Sequence, residues 1–115
     1  MRLGDGHYIL DGKTPVPCDD FEAWAIWLHK NDRQVMLTRL IDGSELSTTF
    51  LGLDHAFGHG PPVLFETLRM LPGQGVELVG RYRTWAEAEV GHMAWLEASE
   101  IPPLIEPDTE EPPHG

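Results

Sequence analysis

Residues 34–51, QVMLTRLIDGSELSTTFL, read as a β-hairpin with its turn spelled out. Asp42-Gly43 between two runs of alternating and β-branched residues is the strongest short hairpin signal that a sequence carries. Gln34–Ile41 is one strand and Glu45–Leu51 its return. Two further runs follow, Val63–Leu71, closed by Pro72-Gly73-Gln74-Gly75, and Val76–Arg83. Strands this close in sequence pair with their neighbours, so residues 34–83 predict an antiparallel meander. Along the first strand, alternation places Val35 and Leu37 on one side and Met36 and Leu40 on the other. Apolar residues on both sides of a sheet are consistent with helices on one face and a second copy, in a homodimer, on the other.

Helices bracket this sheet. Downstream, Thr84-Trp85-Ala86-Glu87 is a capping box with Thr84 as the N-cap. Trp85, Ala88, His92, Trp95 and Leu96 then share one face, while Glu87, Glu89, Glu97 and Glu100 point to water, and Ile101-Pro102-Pro103 stops the helix. Upstream, Asp19-Asp20-Phe21-Glu22 reads as a second capping box, with Asp19 as the N-cap. Phe21, Trp24, Ala25 and Leu28 fall at i, i+3, i+4 and i+7 and predict the buried stripe; Asn31-Asp32 ends the helix. Before it, His7–Leu10 and Thr14–Pro17 form a hairpin about Asp11-Gly12, with prolines confining the second strand to an edge. The order β-β-α-β-β-β-β-α predicts an α+β fold: an antiparallel sheet of four to six strands with two helices packed on one face. Residues 1–101 make the single domain. The tail 102–115, PPLIEPDTEEPPHG, is acidic and proline-rich and is expected to be extended or disordered.

Composition narrows the class. With 115 residues the chain builds one core, and 41% hydrophobic against 23% charged residues is the balance of a soluble globular protein. No apolar run approaches the ~18 residues of a membrane span. The start, MRLGDGHYILDG, lacks the apolar region of a secretory signal, so the expected compartment is the cytoplasm. Cys18 is the sole cysteine, forms no intramolecular disulfide, and reads as an unreactive thiol beside the first helix. Nineteen acidic residues against eight basic ones give a formal charge of −11. That surface repels phosphate, which argues against direct binding of nucleic acid or an anionic membrane. Four of the acids lie in the tail (Glu106, Asp108, Glu110, Glu111), so the body is acidic too; it serves solubility or mimics a phosphate backbone in a basic groove of another protein. Neither a phosphate-cradling glycine loop nor a G-x-S-x-G elbow is present.

Residues 51–62, LGLDHAFGHGPP, concentrate the chemistry-bearing side chains. His55-x-x-x-His59 carries a metal-ligand spacing, although Gly58, Gly60 and Pro61 argue against a helix there. In a loop the two imidazoles can still converge on a divalent metal, with Asp54 or Glu66 as the carboxylate and His92 as a further donor, leaving water for hydrolysis. Alternatively, Asp54 caps a turn and the histidines bond local backbone. His92 on an apolar helix face also reads as a core histidine bonded to a carbonyl or carboxylate. Glu66 alternates with Leu64, Leu68 and Met70 on an inward face, which predicts a buried pair with one of Arg39, Arg69, Arg81 and Arg83, or else a general base. Thr48 and Thr67 read as plain strand residues. Phe57, in the same loop, is a candidate ligand or interface contact. Trp27, off the helical stripe, is either an interface anchor or an edge of the core.

Three blocks, YILDGKTPVPCDD, STTFLGLDHAFGHGPPVLFET and RYRTWAEAEVGH, resemble a family of small uncharacterised proteins encoded by bacteriophages and prophages. The family has no assigned activity, so no residue role carries over. The resemblance implies a small acidic protein in the cytoplasm of a phage-infected bacterium, where accessory proteins bind and redirect host proteins and some inhibit host defence. Three functions follow as expectations: a non-enzymatic accessory protein that binds a host or phage protein; a metal-dependent hydrolase or metal-binding protein built on the Asp54–His59 loop; and a binder of a nucleotide-like small ligand.

Overall fold

The computed structural model describes residues 6–104. Its elements run β1 (Tyr8–Asp11), β2 (Thr14–Pro17), α1 (Phe21–Lys30), β3 (Gln34–Arg39), β4 (Glu45–Phe50), β5 (Phe65–Leu71), β6 (Gly75–Tyr82) and α2 (Trp85–Ser99). The fold is α+β as the sequence predicts: β3-β4-β5-β6 form a four-stranded antiparallel meander, and β1-β2 a separate two-stranded hairpin. At the central hairpin Asp42 Oδ1 accepts from Ser44 N (2.9 Å) and Ser44 Oγ (2.6 Å). Gly43 supplies the left-handed φ of 92° that lets the chain reverse.

Register divides the meander into two faces. Cross-strand partners share a face, so Thr38-Leu46-Arg69-Glu77, Met36-Thr48-Thr67-Gly80 and Phe50-Phe65-Tyr82 are three rows on one side. α2 lies across these rows and contacts all four strands. Phe50, Leu64, Phe65 and Ala88 form the buried cluster, with Tyr8, Leu10, Trp27, Val35, Tyr82 and Trp85 packed around it. Truncating a fully buried phenylalanine costs about 3–5 kcal/mol, so this cluster anchors the domain. α2 approaches β6 closely at Gly91, where a Cβ would overlap the Tyr82 ring. The opposite face carries Gln34-Thr49-Glu66-Arg81, Leu37-Ser47-Leu68-Leu78 and Arg39-Glu45-Met70-Val76, and no described element covers it.

Several local expectations are corrected. α1 is capped by Asp20, not Asp19: Asp20 Oδ1 accepts from Glu22 N (3.0 Å) and Ala23 N (3.1 Å). The inward face of α1 is half-buried at Trp24, Ala25 and Leu28 as expected, with Trp27 added to it, while Phe21 is half exposed. Val35 joins the core because the register slips between Gln34 and Met36, so it does not share a side with Leu37. Glu66 shares the uncovered face with Leu68 and Met70, whereas Leu64 precedes β5 and is buried. Pro102–Leu104 do not leave the domain. They run beside β3, with Pro102 O accepting from Ile41 N (2.9 Å) and Leu104 N donating to Arg39 O (2.7 Å). The expectation for the rest of the tail falls on residues 105–115, outside those described.

Candidate functional site

The 52–62 loop joins β4 to β5 and is fastened to the first helix at Gly52. Gly52 O accepts from Trp24 Nε1 (2.9 Å) and Tyr8 N (2.9 Å), and a Cβ there would press into Leu28 at 2.7 Å. Its φ of 75° adds a second reason for glycine. Beyond it, Asp54 Oδ1 accepts from Ala56 N (2.7 Å) and Val63 N (2.9 Å), closing the base of the loop. His55 N donates to Val63 O (2.8 Å), and His55 Nδ1 donates to Leu53 O (2.8 Å), which fixes the proton on that nitrogen. Phe57 adopts a φ of 52°, is 73% exposed and lies 5.7 Å from the His55 ring. His59 is exposed and donates its backbone N–H to Ala56 O (3.0 Å).

Asp54 and His55 therefore serve nearby backbone, as the turn-capping reading expects, while the exposed His59 enters the turn through its backbone N–H. Among the described residues, no three of His, Cys, Asp and Glu converge on a point that could hold a metal ion. His92 does not join Asp54, His55 and His59 as a ligand, since both its ring nitrogens are engaged elsewhere. Glu66 Oε2 accepts from Arg81 Nε (3.1 Å), the ion pair the sequence suggests, but on the uncovered face. Trp27 packs edge-on against Phe50, with centroids 5.9 Å apart, and so belongs to the rim of the core and is not a free interface anchor.

His92, on the inner side of α2, is the core histidine the sequence suggests, but its partners are threonine hydroxyls and not a carbonyl or carboxylate. His92 is fully buried; its Nδ1 is 2.8 Å from Thr48 Oγ1 and its Nε2 is 2.9 Å from Thr38 Oγ1. Thr48 Oγ1 continues to Thr67 Oγ1 at 2.5 Å. A neutral imidazole has one donor and one acceptor, and each hydroxyl can take either part, so the chain Thr38–His92–Thr48–Thr67 satisfies itself without a charge. Burial lowers the His92 pKa by penalising the imidazolium. The warning in the sequence was a histidine on an apolar helix face; the threonines gave none.

Two surface features remain. A cavity of about 360 Å³ is lined by Tyr8, Pro15, Pro61, Pro62, Leu64 and Arg83, with Thr84 and Glu87 at the start of α2. Arg83 Nε donates to Pro61 O (3.2 Å), and Glu87 Oε1 accepts from the Arg83 backbone N–H (3.1 Å), so both charged side chains of the wall are held by local main-chain groups. The second lies on the outer side of α2, where Glu89, Val90, Met93, Ala94 and Glu97 line a shallow concavity, also of about 360 Å³. Val90 is 68% exposed and Met93 51%. No helix among the described residues is long and apolar enough to cross a membrane. Compared with protein-family models, with curated proteins and with solved structures, the chain matches none.

Proposed function

We propose that this chain is a non-enzymatic accessory protein that binds another protein through the outer side of α2. The observation that carries the reading is the double use of that helix. Its inner side, through Ala88 and His92, is spent on the core, yet its outer side presents Val90, Met93 and Ala94 to water. A surface helix ordinarily turns charged and polar residues outward, and an exposed apolar stripe rimmed by charge marks an interaction site. The rim here is acidic: Glu87, Glu89 and Glu97 lie on α2, which carries no lysine or arginine. Glu89 and Glu97, eight residues apart, stand about 12 Å from each other along the axis. The matching partner presents an apolar anchor flanked by lysine or arginine. The resemblance to phage-encoded proteins supplies a setting, a host or phage protein with a basic surface, and a host-defence factor is one such partner.

The test starts from a partner recovered with the full chain from bacterial lysate, identified by mass spectrometry and measured by calorimetry. Val90→Glu should weaken binding by about a hundredfold, as expected for a central apolar anchor. Glu89→Lys with Glu97→Lys should weaken it and reverse its salt dependence, and Phe57→Ala should leave it unchanged. Binding indifferent to all three α2 substitutions would overturn the reading, as would a turnover activity that disappears in His55→Ala.

A further inference from the structure

The uncovered face of the meander differs from α2 in one decisive respect, its charge. It holds Arg39 and Glu45, joined at 3.0 Å, and Glu66 and Arg81, joined at 3.1 Å. Two arginines and two glutamates sum to zero on a chain whose formal charge is −11. Between these pairs runs a row across all four strands, Leu37-Ser47-Leu68-Leu78, and Met70 and Val76 extend it on one side. Leu37 is 43% exposed, Leu78 51% and Val76 61%. One-sided antiparallel sheets normally turn polar residues to water on the free face; a leucine-rich band there, interrupted only at Ser47, calls for a cover.

We infer that the cover is a second copy of this chain, packed sheet to sheet about a two-fold axis. Two copies of so acidic a protein repel each other, and the repulsion is least where the surface is locally neutral. The arginines on this face are already neutralised within their own chain, so apposition buries no unmatched charge. A basic partner finds no net charge to read here, in contrast to the acidic rim of α2. The chain's own C-terminal segment is a poor alternative. Pro102–Leu104 follow the β3 edge and do not cross the face, and residues 105–115 contain one large apolar side chain, Ile105, among four acids. The row fits a two-fold axis because Leu37 and Leu78 stand on the outer strands, with Ser47 and Leu68 between them, so the leucine-rich row meets its own copy. Such a dimer turns both α2 helices outward, on opposite sides.

Sedimentation equilibrium of the full chain tests this directly. Its mass should approach twice 12.9 kDa, and association should tighten a few-fold as salt rises and screens the repulsion between the copies. Leu37→Glu and Leu78→Glu, made separately on opposite edge strands, should each weaken the dimer by about a hundredfold. Both sites are exposed, so each variant should keep the circular dichroism spectrum of the parent. Val90→Glu on α2 should leave the dimer intact, which separates this inference from partner binding. A monomer at every concentration, or a dimer indifferent to Leu37→Glu and Leu78→Glu, overturns it.

Discussion

The 52–62 loop and the His92 cluster invert each other. The loop is crowded with residues that do chemistry in other proteins, yet Asp54 and His55 spend their polar atoms on main-chain groups a few residues away. The cluster is built from one histidine and three threonines on four separate elements, and His92, Thr48 and Thr67 in it are fully buried. A carboxylate in a turn is cheap to satisfy, because backbone N–H groups are close at hand. A buried imidazole is satisfied only if the fold brings two acceptors or donors to it, and an unpaired one costs about 1–3 kcal/mol. Residue type thus says less about a site than the distance over which its partners must be assembled.

The largest expected effect tests that assembly. His92→Leu removes the ring and strands the Thr38 and Thr48 hydroxyls, so urea unfolding should show a loss of about 3 kcal/mol. Thr48→Val alone should cost about 2 kcal/mol, because it orphans His92 Nδ1. The double variant should lose clearly less than the sum, since removing both partners leaves fewer orphans. Strict additivity would mean that the cluster is not coupled, and the comparison with the loop would fail.

Asp54→Ala comes next. It withdraws the acceptor of two backbone N–H groups, Ala56 and Val63, at the base of the loop. The expected loss is about 1–2 kcal/mol, close to that of losing a helix cap. Asp54→Asn keeps an oxygen in place and should recover most of it, which a role in charge-dependent chemistry would not allow. Hydrogen exchange at the Val63 amide is the local readout, and an unchanged rate in Asp54→Ala would return the carboxylate to the list of functional candidates.

How far these regions could be read in advance follows from the same distances. The central hairpin, the Thr84 cap and the order of elements rest on signals a few residues long, and the structure holds all of them. The cap of α1 slipped by one residue because Asp19 and Asp20 are chemically identical. Val35 escaped because a register irregularity has no composition of its own. The Thr48–Thr67 pair depends on the register of β4 against β5, and its link to His92 spans 44 residues. No local pattern encodes that separation. The pairing of Pro103 with Leu40 was illegible for another reason: two adjacent prolines read as a stop, and Pro102 still offers a carbonyl to the β3 edge.

The smallest effect is the dependence on pH, and its sign follows from burial. In the unfolded chain His92 takes up a proton near pH 6.5. In the fold its pKa lies lower, because the imidazolium would be desolvated among hydroxyls with no carboxylate bonded to it. Between those two values the unfolded state binds more protons, so acid favours unfolding. This contribution is fully present above about pH 7 and falls as pH drops through 6.5, by at most about 1.4 kcal/mol per pH unit. It levels off once the folded His92 is itself protonated. His92→Gln should lack this component, so the difference between its stability profile and that of the parent should narrow as pH falls below about 7. A difference that widens as pH falls would mean that the buried imidazole is already charged, with a counter-ion in the fold. The cluster would then be an ionic site, and the contrast with the backbone-satisfied loop would have to be drawn the other way.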